Sequence, residues 1–462
     1  MTSNQVVQYF SSVRRIVNNI RKSRDLETQG LLLAESTYQH CFVIPSYSEP
    51  INILRKTLEK LSQHASATSN YLIVLAMEES ELGSEIKAQT LSNEFKHLFK
   101  DILLTFHPVN IPGEARGKAS NVNWAVRKTC GILSKRGTPL KQIMLTIIDA
   151  DASVPELYIS TLEKAIVDTH EPLNSIFCPA TFFGRNSLNI PALVRCTDIA
   201  WSIMHTQNLS NPRGIFFPCS AYSLSMVLAD KVNYWDCDFD SIGEDFHMML
   251  KCFYKSDSKA VSLDCPLNYA NTQSTGYFST IGARFTQGRR HALACADVGY
   301  ALRRTLETPE SATLSNIRDR VLMSLRVCET FIVQATSGWV FTLGGLMFAM
   351  LHITFEDPLF HFLSKIVAVL SILAPLPLLI CCFIYEFYHR FLERTLFKKD
   401  KDLKGEESPK TRSLIHLLDY ICLPISAFFY VTVVYTIACV QRLIPNNGLT
   451  YITSEKNCNL DD

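Results

Sequence analysis

A chain of 462 residues is too long for one ordinary hydrophobic core and asks for at least two structural units. Hydrophobic residues make up 47% and charged residues 19%, with a mean hydropathy just above zero, which is greasy for a soluble protein and too polar for a wholly integral one. A formal net charge of +1 provides no global field for nucleic acid, and the 15 cysteines fall into no CxxC pair or zinc-type His/Cys spacing, so they are expected to be reduced thiols.

Residues Met1 to Tyr9 carry no basic stretch followed by an apolar one, so no cleavable secretory signal is expected and the soluble part starts in the cytosol. Val13, Ile16, Val17 and Ile20 recur at helical spacing in a basic stretch ending near Arg24. That pattern predicts an N-terminal helical segment over 1–37, packed on the main domain in preference to lying on an anionic membrane.

Short apolar β-type runs then alternate with amphipathic helical patterns: Cys41 to Pro45, Tyr71 to Met77, Ile102 to Phe106, Ile143 to Ile148 and Ser175 to Cys178. The alternation predicts an α/β domain over 38–305, built on a mostly parallel sheet with helices on both faces and with ligands at the C-terminal strand ends.

Candidate site residues follow those runs. After the first, Tyr47 and Glu49 project from Pro45-Ser46-Tyr47-Ser48-Glu49-Pro50, although the same letters also read as plain turn chemistry. The second ends in Glu78 and Glu79, which helix N-terminal acids alone would explain. The segment Gly113 to Ala125, with Arg116, Lys118 and Asn123, joins a flexible loop, positive charge and a helix start, a combination able to hold a diphosphate. It lacks the GxxxxGK[ST] spacing of a P-loop.

The fourth run delivers Asp149 and Asp151, two residues apart, which in extended chain would face one cation. A hard Mg2+ or Mn2+ ion prefers such carboxylates together with phosphate oxygens. Ser153-x-x-Glu156 with Pro155 also reads as a capping box. Further on, Gly243-Glu244-Asp245 opens a helix, where a carboxylate could accept a hydroxyl proton. The stretch Phe285 to His291 brings Gln287, Arg289, Arg290 and His291 on a helix, fit for pyrophosphate and a sugar ring or, more plainly, for a membrane surface.

A linker helix is expected over 306–330, then three uncharged runs of span length, Phe331 to Phe355, Ile366 to Tyr385 and Tyr420 to Val440, within a membrane region 331–440. Arg390, Arg394, Lys398, Lys399, Lys401, Lys404, Lys410 and Arg412 crowd the connection 386–412, which should therefore be cytosolic, whereas the link near Glu356 and Asp357 should not. Three crossings would leave the tail 441–462, with Asn446 and Cys458, outside.

Taken in this order, the elements resemble glycosyltransferase family 2 of GT-A fold, in the membrane branch that includes cellulose, chitin and hyaluronan synthases. The run from Ile111 through Gly113, Arg116 and Lys118 to Trp124 is most similar to fungal family 2-like membrane proteins, and the resemblance covers residues 38 to 300. It implies that Tyr47 and Glu49 contact uridine, that Glu78, Lys118 and Asn123 lie against the nucleotide, and that Asp149 and Asp151 are the DxD pair carrying UDP and metal. It further implies Asp245, beside Glu244, as the catalytic base, and Gln287, Arg290 and His291, with Arg289, as a QxxRW-like element at the acceptor and diphosphate. Departures are His291 in place of Trp, the ambiguity between Glu78 and Glu79, and too few spans for one chain to enclose a channel, which admits a homo-oligomer.

The expected function is an inverting, Mg2+- or Mn2+-dependent transferase passing a sugar from a UDP-sugar to a growing glycan at the membrane. The same residues allow transfer to a lipid such as a polyprenyl phosphate or ceramide, or a non-catalytic scaffold that keeps the fold. Nucleic acid is not an expected partner; membrane lipids are.

Overall fold

The computed structural model describes residues 3–28, 37–239, 241–308, 313–354, 357–397 and 412–444. Seven strands form one sheet in the order β3-β2-β1-β4-β6-β5-β7: β1 (Gln39–Ser46), β2 (Tyr71–Glu78), β3 (Asp101–His107), β4 (Ile143–Ile147), β5 (Ser175–Phe182), β6 (Tyr222–Ser225) and β7 (Lys259–Asn268). All neighbours pair in parallel except β6, which runs antiparallel between β4 and β5. The first five match the apolar runs in the sequence; β1, β2, β4 and β5 are covered on both faces, whereas the edge strand β3 buries alternate residues. β5 runs on past Pro179 through an irregularity at Pro179/Ala180, which lets the strand continue beyond a residue that cannot donate to the ladder.

Helices cover both faces. α2 (Ile51–Ser62) and the one-turn α3 (Ala67–Asn70) join β1 to β2, α4 (Ser84–Phe95) leads to β3 and α5 (Lys118–Lys135) to β4. α6 (Leu157–Asp168) precedes β5, α7 (Ala192–Asn208) precedes β6, and α8 (Met226–Lys231) and α9 (Glu244–Ser256) precede β7. Phe42, Val74, Leu145, Phe177 and Leu224 are wholly buried between these layers, and each such side chain contributes about 1.5–3 kcal/mol through burial.

α1 (Ser3–Thr28) packs against α7, α15 and β7: Tyr9, Ile16 and Ile20 are buried, and Arg15 Nε donates to Asp264 Oδ1 at 3.0 Å. The capping box expected at Ser153 does not form. The Ser153 backbone pairs with Asn268 in both directions, while Glu156 accepts from the Ala65 amide at 2.7 Å, so a tertiary bridge replaces the local one.

After β7 come α10 (Tyr277–Ala292), α11 (Asp297–Leu306), α12 (Leu314–Cys328), α13 (Gln334–Thr354), α14 (Pro358–Leu373), α15 (Leu376–Thr395) and a C-terminal helical run, Ile415–Leu443. Three stretches are long and apolar enough to cross a membrane, Leu314–Leu351, Pro358–Thr395 and Ile415–Leu443. Each is longer than the uncharged run that announced it. Pro375 and Pro377 fall where α14 gives way to α15. Phe182 of β5 stacks on Phe397 at 5.7 Å and lies 4.9 Å from the His389 ring, so α15 rests on the α/β domain. Arg412, the last residue of the basic connection 386–412, is buried, and its guanidinium bonds Glu386 on α15 at 2.6 Å. Lys398 to Lys410, Glu356, Asn446 and Cys458 lie outside the described residues. The fourteen described cysteines are free.

Candidate functional site

β4 and the antiparallel β6 lie side by side at the sheet centre, and the loops at the end of β4 and the start of β6 open onto a cavity of about 240 Å³. Asp149 and Asp151 enter it from the turn after β4. The strand stops at Ile147 and the Ala152 amide bonds the Asp149 carbonyl at 3.0 Å, so the pair sits in a turn and not in the extended chain that the spacing invoked. Both nevertheless line the same wall, Asp151 almost wholly buried.

Glu244 and Asp245 arrive at the start of α9, where unsatisfied helix amides favour negative charge. Gly243, just ahead, is required by packing: a Cβ there would stand 2.7 Å from the Ala294 methyl. Asp245 Oδ2 accepts from the Ser220 amide at 2.7 Å. Ser220 holds the left-handed conformation, φ +64°, a costly one for a side-chain-bearing residue. Its carbonyl accepts from Lys118 Nζ at 3.2 Å, so the backbone of one residue touches both an acid and a cation of the site.

Lys118, the first residue of α5, is the bridge between motifs. Its Nζ lies 2.8 Å from Asp149 and 2.9 Å from Glu244. Burial by itself would lower the ammonium pKa, but the charges of Asp149, Glu244 and Asp245 outweigh it and hold the lysine above its ordinary value. Glu244 is pushed up by burial and the neighbouring Asp245, against the pull of Lys118. Behind it, Tyr222 donates to Glu244 and accepts from Trp235 Nε1 at 2.7 Å, a buried chain that fixes the carboxylate.

α10 closes the opposite wall with Gln287, Arg290 and His291. Gln287 Oε1 accepts from Thr272 at 2.6 Å. One turn earlier, Arg284 Nε bonds Asp198 of α7 at 2.9 Å, and both line the cavity. Burial raises the Asp198 pKa against the opposing pull of Arg284. Trp201 faces in from α7, its Nε1 donating to Cys219 Sγ at 3.1 Å. The wall is completed by Phe331, Tyr430, Val431 and Tyr435, which belong to helical stretches of membrane-spanning length.

Eight of the residues singled out in the sequence thus converge: Lys118, Asp149, Asp151, Glu244, Asp245, Gln287, Arg290 and His291. Five do not line the cavity. Glu49 spends its carboxylate on the Tyr47 amide and Ser46 Oγ, the turn chemistry that was the plainer reading, and Tyr47 stands exposed beside it. Glu78 accepts from His107, whose other ring nitrogen meets Glu114 at 3.1 Å. Burial opposes a positive charge on His107, but the two carboxylates prevail and raise its pKa. Asn123 Oδ1 accepts from Arg127 at 3.1 Å, and Arg289 is not among the residues that line the cavity. Ser220, Trp201, Tyr222 and the Asp198–Arg284 pair had no sequence signal, since each matters only through a neighbour distant in the chain.

The donor chemistry suits a hard cation at Asp149 and Asp151, two carboxylates on one wall. Among the described residues no three His, Cys, Asp or Glu side chains stand together as a ligand set, so such an ion would draw its remaining oxygens from a ligand phosphate and water.

No curated protein matches the chain. Among solved structures, a mannosyltransferase from Pyrobaculum calidifontis in complex with GDP-Man and Mn2+ is similar at 14% identity and TM-score 0.47, over 87% of this chain and 100% of that one. TarS from S. aureus follows at 10% and 0.37, over 63% and 44%. Glucosyl-3-phosphoglycerate synthase from Mycobacterium tuberculosis, in complex with Mg2+ and UDP, stands at 12% and 0.34, over 59% and 81%. Likeness of this degree says nothing about substrate or metal. The profile of glycosyl transferase family group 2 is a different matter, since it matches residues 144–388, more than half of the chain and the stretch that carries both acidic motifs and α10. The chain belongs to glycosyl transferase family group 2.

Proposed function

We propose that this glycosyltransferase works by inversion on a UDP-sugar, with the acceptor hydroxyl displacing the diphosphate in one step at the cavity between β4, α9 and α10. The observation that carries the reading is the meeting of Asp149, Asp151, Lys118, Asp245 and Arg290 on a single cavity. Asp245, which accepts from the Ser220 amide through Oδ2 and from the Phe246 amide through Oδ1, takes the acceptor proton on a remaining lone pair. Arg290 and Lys118 face the charge that grows on the leaving diphosphate. Asp149 and Asp151 would hold Mg2+ or Mn2+, which when bound supplies charge neutralisation at that diphosphate. Gln287 and His291 orient the acceptor. At about 240 Å³ the cavity suits a sugar with its phosphates, the nucleoside extending toward β1 and α5, where Tyr47 and Asn123 lie.

The acceptor is read as a growing glycan, with the α/β domain in the cytosol and the product a surface or wall polymer. A lipid acceptor is favoured by a separate observation, the apolar wall of Phe331, Val431 and Tyr435 from the membrane-type helices. The test is a panel of UDP-sugars given to purified protein with Mn2+. Release of UDP with transfer to membrane material is expected, labelled product insoluble in organic solvent for a glycan and extractable for a lipid. No turnover of any UDP-sugar would overturn the reading.

A further inference from the structure

Apolar length alone makes the run Ile415–Leu443 a third crossing, but its contacts place it elsewhere. Near its start, Asp419 receives both Nε and Nη2 of Arg195 from α7, at 2.8 and 3.0 Å. Seven residues on, Ser426 donates to the Leu193 carbonyl of the same helix at 2.9 Å. In the middle, Tyr430 reaches the Ile281 carbonyl of α10 at 3.4 Å, and a Cβ on Gly288 would touch Val434 at 3.4 Å. At its far end Arg442 donates to the Phe239 carbonyl at 2.7 Å and to Leu293 at 3.3 Å. From Asp419 to Arg442 a helix extends roughly 34 Å, about the thickness of the hydrocarbon core. A helix that crossed would carry one of these ends to the opposite face of the bilayer, yet both are fastened to the domain that holds Asp149, Asp151 and Asp245.

The remaining surface of the run says what covers it. Ile415, Leu418 and Ile421 are each exposed by more than 60%, and the three-residue repeat of the 3₁₀ segment Leu414–Cys422 stacks them in one line. Ile425 and Phe429 prolong the line at helical spacing. α15 shows the same division: Cys382, Tyr385 and His389 are buried on the domain while Ile380, Phe383 and Phe387 point away. Both faces are continuous with α13 and α14, which pack on each other, join Phe348 to Phe360 at 5.9 Å and expose apolar side chains from Val340 to Met350 and from Leu359 to Leu373.

We infer that Ile415–Leu443 lies in the plane of the membrane surface, its Ile415–Phe429 line in the acyl boundary and its opposite face on the catalytic domain, so that α13 and α14 alone enter the bilayer as a hairpin. Both ends of the chain are then on the same side, contrary to the topology that three crossings demand, and the acceptor cavity opens at the lipid surface under Tyr430 and Tyr435.

The experiment uses the full chain with one epitope before Met1 and another after Asp462, in sealed membrane vesicles treated with protease. Equal fates for the two epitopes are expected; digestion of the first with protection of the second until detergent is added overturns the inference. Phe429→Trp, at the midpoint of the run, then reports depth in vesicles of brominated phosphatidylcholine. Stronger quenching of the added fluorescence by bromines near the headgroup is expected. Strongest quenching by chain-end bromines, as for a crossing helix, or no quenching by either, as for a line covered by another protein copy, overturns it.

Discussion

Lys118 and Glu244 are 126 positions apart in the chain, and their charged groups meet at 2.9 Å. That contact ties the start of α5 to the start of α9, and through the second bond of Lys118, to Asp149 at 2.8 Å, it ties both to the turn after β4.

Replacing the lysine therefore does two things. Lys118→Met leaves Glu244 buried without its counter-charge and should destabilise the fold by roughly 3 kcal/mol, the low end for breaking a buried pair because the lysine is partly exposed. Thermal unfolding in detergent checks the first effect. Donor titration checks the second, a weaker hold on the nucleotide-sugar, and Lys118→Arg should recover stability better than affinity.

His247, two residues beyond Asp245, is held between Asp297 and Asp236 at 2.5 and 3.1 Å. Burial would lower its pKa, but the two carboxylates raise it to about 9 from an ordinary 6.5. The folded state thus binds the proton more tightly than the unfolded chain. Its stabilisation is complete below about pH 6.5 and lost as pH climbs through about 9. Melting temperatures should fall across that window, and His247→Gln should melt lower at pH 6.5 with a flatter profile.

Gly243→Ala forces its new methyl against Ala294, which a side chain could reach only by displacing the start of α9. A cost of about 1–3 kcal/mol is expected. Because Asp245 rides on that turn, kcat should fall by more than the loss of folded protein accounts for, as steady-state kinetics at fixed folded fraction would show.

Chelation bears on the carboxylate pair. EDTA should abolish transfer and Mn2+ or Mg2+ should restore it, while Asp151→Asn should raise the metal concentration needed for half-activity by tenfold or more. A metal titration at saturating donor reads both.

β1, β2, β4 and β5 were legible because each is buried on both faces and so appears as an apolar run, and the edge strand β3, with alternate residues buried, still carries an apolar run. β6 and β7 were not: β6 is four residues long, and β7 carries Lys259, Asp264 and Pro266 at the sheet edge. Acidic motifs at strand and helix ends pointed to the site, since a chain of this class brings those ends together. The backbone of Ser220, the Asp198–Arg284 pair and Trp201 could not be seen, because their significance comes from juxtaposition alone. Likewise Ser153 and Glu156 formed a local pattern that Asn268 and Ala65 override. Apolar composition also cannot separate a helix that crosses a membrane from one that lies along it. That distinction required Asp419 and Arg442 to be placed.

His291 lies on the cavity wall beside Gln287 and Arg290. His291→Ala should raise the acceptor KM about tenfold, equivalent to 1.4 kcal/mol, with donor affinity unchanged in direct binding.

The central claim, that Asp245 is the base of a sugar transfer in this cavity, is tested most directly by Asp245→Asn. Asparagine keeps an oxygen for the Ser220 amide and gives up only the Oδ1 contact with the amide of adjacent Phe246 at 2.8 Å, so folding and nucleotide-sugar binding should stay close to the wild type. Transfer from the preferred donor should fall by about 10²–10⁴. A variant that binds donor normally and still transfers sugar at the wild-type rate would contradict the account.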